Sequence, residues 1–394
     1  MHRPNYLYFQ LVAGFILFMS HALTASPLVS IGESAKIHFI GQSSFEYDSN
    51  IFSDNSDKTA DLIYTLSPGF QFVTGQNADF SSRVTLQQET RLFADNSDLR
   101  QFNEIVKLHA DYDGGGKFSV SVNGGYRTRG QNTNTANIEA ALIRRRNYNL
   151  GFDASYDFSP KTQLSLMPGW RHTDYRNFID TFSDRHIYTI PVDLFYRYSP
   201  KLKIGMRYRY RHTNFDVARG LSSDDIRDRN DHFVGFRSVG QITSKLRNNT
   251  SIGWQYQNLS GGDSFNSLTL RSELTWQATQ KFRLTAGINR DVNASGAGVS
   301  IQQTGGHLRA NYALSQKVST HVQTRFTVSD YENAAREDEL FTAAWGLKYK
   351  INDYLRFNAR YRYLNNDGNI ENAINPDISS FNRHLVEFST RLRY

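Results

Sequence analysis

From Lys201 to Arg211 the chain alternates between two kinds of side chain: Leu202, Ile204, Met206, Tyr208 and Tyr210 are interleaved with Lys201, Lys203, Arg207, Arg209 and Arg211. A helix would scatter these charges around its axis. An extended strand, whose side chains point to opposite faces in turn, sorts them into one oily and one cationic face. The same sorting recurs where Leu355, Phe357, Ala359, Tyr361 and Tyr363 alternate with Arg356, Asn358, Arg360 and Arg362. Period-two patterning runs from about Lys36 to Tyr394 and predicts an all-β chain.

Short turns punctuate it at Ser159-Pro160-Lys161, Ser199-Pro200-Lys201, Ser244-Lys245-Leu246, Thr279-Gln280-Lys281, Ser315-Gln316-Lys317 and Asn352-Asp353-Tyr354, 35 to 45 positions apart. Earlier turns at Gln76-Asn77 and Gly114-Gly115-Gly116 extend the series. Longer polar stretches, Gln131 to Arg144, Asp216 to Arg229 and Asn365 to Ser379, lie between them. A propeller blade of this length would hold four short strands. Here each unit holds two strands of about a dozen residues, the length of a tilted membrane-spanning strand. Short turns on one side and long loops on the other give an antiparallel up-and-down transmembrane β-barrel of about 18 strands, without a plug domain.

The N-terminus fits export. Arg3 precedes the apolar run Leu11 to Met19, and small residues follow at Ser20, Ala22, Ala25 and Ser26, as in a secretory signal peptide. The expected division is a signal over residues 1–25 and a barrel over 26–394. No later apolar run is long enough for a spanning helix. A mean hydropathy of −0.55 is too polar for a helical membrane protein, while 22 Tyr and 27 Phe are too many for a disordered one. With no Cys there is neither a disulfide nor a thiolate metal site, which suits passage through an oxidising periplasm. The location expected is the outer membrane of a Gram-negative cell.

Parity then assigns faces. In the last strand Val386, Phe388, Thr390, Leu392 and Tyr394 share one face. Such a strand, ending on Tyr394, resembles the signal read by the outer-membrane barrel assembly machinery, an expected partner alongside the lipids. Tyr196 and Tyr198, Tyr208 and Tyr210, Tyr361 and Tyr363 cluster near strand ends, where an interfacial girdle would place them. With the apolar parity turned to lipid, the lumen receives Arg127, Arg129, Arg207, Arg209, Arg211, Arg356, Arg360, Arg362, Arg391 and Arg393 as candidate anion- or sugar-binding residues. Carboxylates of that parity, Glu89, Asp153, Asp157, Asp193, Glu273 and Glu387, are fewer, and the net charge is +7. Unpaired guanidinium groups would bind anions; paired ones would only stiffen the wall.

Two acid–histidine pairs, His172 with Asp174 and Asp231 with His232, have no accompanying nucleophile or oxyanion motif. The expectation is a protein that is not an enzyme, with no catalytic residue, metal, cofactor or nucleic-acid partner.

Glu46-Tyr47-Asp48-Ser49-Asn50-Ile51-Phe52, followed by Ala60-Asp61-Leu62-Ile63-Tyr64-Thr65-Leu66-Ser67-Pro68-Gly69-Phe70, resembles the opening hairpin of the putative β-barrel porin 2 family. The resemblance continues in the Tyr198 to Lys201 turn, in Asp228-Arg229-Asn230-Asp231-His232 and in Phe381-Asn382-Arg383-His384, so that it covers nearly all of the mature chain. Several turns read Ser-Lys, Thr-Gln or Ser-Gln in place of the family-like Ser-Pro. The resemblance implies export of an extracellular polysaccharide, with periplasmic export proteins as partners. The first reading is therefore an outer-membrane channel with a basic lumen that exports an anionic polysaccharide. A general anion or small-solute porin and a non-conducting surface adhesin or scaffold are the alternatives.

Overall fold

The computed structural model describes residues 27–76, 78–135, 138–216, 228–260, 262, 264–294, 299–331, 335–370 and 379–394. The expected signal segment, Asn77, most of the 216–229 connection and parts of the 131–144 and 365–379 stretches lie outside them. The described residues form one antiparallel sheet closed into a barrel. Its first strands are β1 (Val29–Ile31), β2 (Ala35–Asp48), β3 (Asp61–Thr74), β4 (Phe80–Phe93), β5 (Gln101–Asp113), β6 (Phe118–Thr135) and β7 (Ile138–Ser159). They continue through β8 (Thr162–Leu166), β9 (Gly169–Tyr175), β10 (Asp184–Ser199), β11 (Leu202–Asp216), β12 (Arg229–Gln241) and β13 (Leu246–Leu259). The last are β14 (Ser264–Gln277), β15 (Phe282–Ala294), β16 (Ser300–Ala313), β17 (Val318–Tyr331), β18 (Arg336–Lys350), β19 (Leu355–Ile370) and β20 (Phe381–Arg393).

β8 and β9 share one place between β7 and β10, and β1 only edges β2, so the wall has 18 staves. The shared stave is interrupted at Pro168, which has no N–H to donate; its carbonyl still accepts from the Phe152 N–H at 2.9 Å. The cylinder closes where β2 meets β20, from Ile40↔Arg393 to Asp48↔Leu385. Closure joins the last stave to the first, the condition for a sheet to lie in lipid.

The outer face is apolar: Leu194, Met206, Phe236, Ile252, Leu274, Ile288 and Leu308 are all exposed, and Trp254 is 65% exposed. Tyr196, Tyr198, Tyr208 and Tyr361 are exposed with them. At five of the short turns one side-chain oxygen accepts two backbone N–H groups, and at Ser199 it accepts one, from Lys201 at 3.3 Å. Ser159 Oγ takes those of Lys161 and Thr162 (3.2 and 3.0 Å), and Thr243, Thr279, Ser315 and Asn352 act alike. These turns need such an oxygen, and proline next to it is optional. One stretch read as a polar loop differs: β6 extends to Thr135 and β7 begins at Ile138, so Gln131 to Arg144 is mostly the tip of a long hairpin.

Candidate lumenal site

Among the described residues, two segments fold into the barrel at the rim that carries the long connections, and the tip of the β6–β7 hairpin leans in beside the first. The first follows β2. Inward positions of β3 and β4 carry Ile63 and Phe93, each 1% exposed, and apolar side chains there require cover. Ile51 and Phe52 supply it by turning into the barrel and packing on Ile63, Phe93 and Leu99, with Leu142 of β7 alongside. Polar groups pin the turn: Arg383 Nε donates to Asp48 Oδ1 at 2.8 Å and its Nη2 to Asp48 Oδ2, while Asn50 Nδ2 donates to the carbonyls of Asp54 (2.7 Å) and Asn382 (3.1 Å). Asp61 accepts from the backbone N–H groups of Ala94, Asp95 and Asn96 at 2.9, 3.2 and 3.0 Å, tying the next connection to the same wall. The Glu46 to Phe52 motif is thus an internal brace.

The second segment is the tip of the β15–β16 hairpin. β14 and β15 are paired only as far as Leu270↔Arg290, whereas β15 stays with β16 up to Ala294↔Ser300. Beyond Arg290 the tip leaves the wall and lies against the inner face of β11 to β13. Arg211 Nη2 donates to the Val292 carbonyl at 2.5 Å and Nη1 to Asn293 Oδ1 at 3.4 Å; Arg209 reaches Asp291 at 3.6 Å; Arg229 Nη1 donates to Ser300 Oγ at 2.8 Å. β11 and β15 are four staves apart, about 19 Å along a wall of ordinary strand spacing, so these contacts require the tip to cross the interior. Val292, whose parity would turn it to lipid, is 2% exposed because it faces the inside of the opposing wall.

The ten arginines singled out by parity fall into two groups. Six lie near carboxylates. Arg207 holds Asp193 through Nε and Nη2 at 2.5 and 2.6 Å, with Arg237 of β12 at 3.8 Å from the same group. Arg211 Nε donates to Asp231, and Arg209 Nη2 donates to Gln255 Oε1 at 2.7 Å besides its approach to Asp291. Arg127 lies 3.3 Å from Glu89, Arg360 2.9 Å from Glu387 and Arg362 4.0 Å from Glu46. For Arg129, Arg356, Arg391 and Arg393 no carboxylate stands within 4.0 Å among the described residues. Arg391 donates instead to Gln42 Oε1 at 3.0 Å. Glu46, Asp48 and Glu89 serve arginines towards the long connections, where Arg129 stands without one. Towards the short turns Lys350, Arg356 and Arg391 stand directly opposite one another in successive strands. They border a cavity of about 720 Å³.

Parity alone missed Arg229, Arg237 and Asp291, which join this network, and Val292 and Ser300, which the tucked tip turns the other way. Neither acid–histidine pair forms a catalytic couple. Asp231 faces inward to Arg211 and Gln257, while His232 sits on the outer face, its Nδ1 2.9 Å from Tyr208 Oη. His172 is stacked on His186 with ring centroids 3.9 Å apart, and Asp174 lies beside Arg146 and Arg176.

Solved outer-membrane proteins share this architecture at low identity. OccK1 (OpdK) of Pseudomonas aeruginosa superposes with a TM-score of 0.50 at 12% identity, covering 92% of this chain and 99% of that one. OccK2 (OpdF) of the same organism, solved in complex with glucuronate, gives 0.50 at 10% identity, with 92% and 98% covered. OccAB3 of Acinetobacter baumannii gives 0.48 at 12%, with 92% and 100% covered. No curated protein matches the sequence. What these likenesses show is the fold, a closed antiparallel barrel. The model of the putative beta-barrel porin 2 family matches residues 41–394, from the first closing strand to the end of the last, and the chain belongs to that family.

Proposed function

We propose that this barrel conducts an anionic saccharide outward across the outer membrane along a net basic lumen, entering at the short-turn rim. The observation that carries this reading is the row Lys350, Arg356 and Arg391. Like charges placed directly opposite in a sheet destabilise it, and Lys350 alone of the three has a carboxylate nearby, Asp353 at 2.5 Å in the adjoining turn. Arg393 adds to the concentration of charge, with Arg83 and Arg356 as its nearest electrostatic neighbours. Such a cluster becomes favourable when an anion occupies it, and guanidinium forks match the carboxylates and sulfates of acidic sugars. Tyrosines near the mouths would offer stacking faces to sugar rings. A barrel of the same fold has been solved with glucuronate, an acidic sugar.

A second reading, a porin for small anions, is favoured by the two inward-folded segments, which leave less room for a chain. Single-channel recording in planar bilayers and assay of surface polysaccharide after gene deletion separate the readings. Anion-selective current together with loss of surface polysaccharide supports the export channel. The same current with unchanged polysaccharide leaves the small-anion porin, and absence of current leaves a scaffold.

A further inference from the structure

A second cationic site lies at a gap in the wall and shares Arg129 with the lumen. β5 and β6 are paired only from Ile105↔Arg127 towards the short turns. Above that level β5 stays with β4 up to Gln101↔Arg91, and β6 stays with β7 to the tip of their hairpin. The tip leans inward, with Leu142 against the Ile51 and Phe93 cluster. The approach is close at Gly130, where a Cβ would lie 2.6 Å from Gln101 Cδ and 2.7 Å from Leu142 Cδ1 and would oblige those side chains to shift. The step leaves a notch of about 430 Å³ beside the free edge of β5.

Arg100, Arg129, Arg144, Arg145, Arg146 and Arg176 line the notch, and no carboxylate does. Asp174 stands behind two of them, 3.7 Å from Arg146 and 3.8 Å from Arg176, and offsets one charge. At the back Gln101 is 4% exposed; its Oε1 accepts from Asn103 Nδ2 at 3.4 Å, but its Nε2 has no partner in the protein, nor has the buried Nε of Arg145. Buried donors are rarely left unanswered, because each costs its full desolvation. Both are donors among cations, a setting that an anionic acceptor would satisfy and neutralise at once.

The level of the notch identifies the source. Two residues further down β7 from Arg146 is Tyr148, whose ring lies 5.0 Å from that of Tyr126 and 5.6 Å from that of His172. Below it come Leu150 and Phe152, both exposed. Aromatic rings above an apolar band mark the headgroup level, and long connections face outward. The geometry points to a binding site for the phosphate of a phosphorylated glycolipid in the outer leaflet. Arg144, Arg146 and Arg176 grip its oxygens from the membrane side, and the Gln101 amide donates from behind.

The test uses the folded mature barrel in detergent micelles, with a bisphosphorylated lipid A as probe and native mass spectrometry as readout. The same lipid stripped of phosphate should bind at least about tenfold more weakly, since one charge-assisted hydrogen bond is worth that much. Millimolar inorganic phosphate should not displace the intact lipid. An Arg144→Gln/Arg176→Gln double variant should lose a similar factor while keeping the heat-modifiable gel mobility of a folded barrel. Equal binding of the stripped lipid, or undiminished binding by the folded variant, overturns the site. Displacement by inorganic phosphate overturns the lipid as its occupant. The comparison of intact and stripped lipid needs no variant, so it decides even if the double substitution prevents folding.

Discussion

Replacing Arg211 by alanine removes a side chain of β11 that holds the backbone of the β15–β16 tip. The lost contacts with the tip are the Nη2 bond to the Val292 carbonyl at 2.5 Å, the longer Nη1 bond to Asn293 at 3.4 Å and an approach of Nη1 to Asp291 at 4.0 Å. A hydrogen bond from a charged donor contributes about 1.5–3 kcal/mol and a poorer one about 0.5–1 kcal/mol, so about 3 kcal/mol of attachment disappears. Arg209 to Asp291 and Arg229 to Ser300 remain. A loss of that size raises the population of tips detached from the wall by roughly a hundredfold or more. Asp231, 1% exposed, also loses its guanidinium but keeps the Gln257 amide at 2.7 Å, which limits the damage to the wall. In planar bilayers the variant should show a larger mean conductance and frequent steps between two levels, where the parent shows one level. A disulfide joining the tip to β12 should abolish the steps. Unchanged conductance and noise in a variant that still folds would show that the tip does not lie in the current path, refuting the inward constriction.

Three further outcomes follow from the same coordinates. An Arg356→Glu/Arg391→Glu double variant should shift reversal potentials towards cation selectivity, because neither arginine has a carboxylate within 4.0 Å among the described residues; an unshifted reversal potential in a folded variant would contradict the charge distribution described. Trp254→Arg puts a charge at a lipid-facing position and should cost about 2–4 kcal/mol if that position is near the midplane, read as a lower urea midpoint for folding into vesicles. Gly253→Ala should destabilise by about 1–3 kcal/mol, since a Cβ would fall 2.4 Å from Gly235 Cα on the neighbouring strand, and a parent-like unfolding midpoint would show that the two strands can separate at no cost.

Much of the wall was legible because lipid imposes one rule on every stave. In β11 the alternation of Met206 and Tyr208 with Arg207 and Arg209 is the alternation of outside with inside. The turn spacing was equally plain, although its chemistry was not: Ser-Pro, Thr-Gln and Ser-Gln look different as letters, yet each offers one oxygen to backbone N–H groups. Parity fails where the wall becomes double. Val292, Ser300, Leu142 and Gly130 belong to hairpin tips that step inside their neighbours, so their outward faces meet protein and the alternation no longer reports what they touch. Apolar Ile63 and Phe93 at inward positions were a sequence signal for such cover, as were Ile51 and Phe52 in an otherwise polar connection. Which arginines have carboxylates beside them was not legible, because Arg211 and Asp291 or Arg383 and Asp48 meet only through closure and inward folding.

The seam between β2 and β20 has a consequence for how the molecule comes into being. Every other neighbouring pair in the wall joins strands close in sequence and can form as soon as both have emerged. The seam joins residues 40–48 to residues 385–393 and carries the Arg383–Asp48 contact beside it. Closing a loop of that length adds only a modest entropic cost over a shorter one, but it must come late, and until then two long strand edges stand open to other chains. Assembly therefore has a late vulnerable step, in which a single pair of edges stays exposed until the two ends of the chain meet.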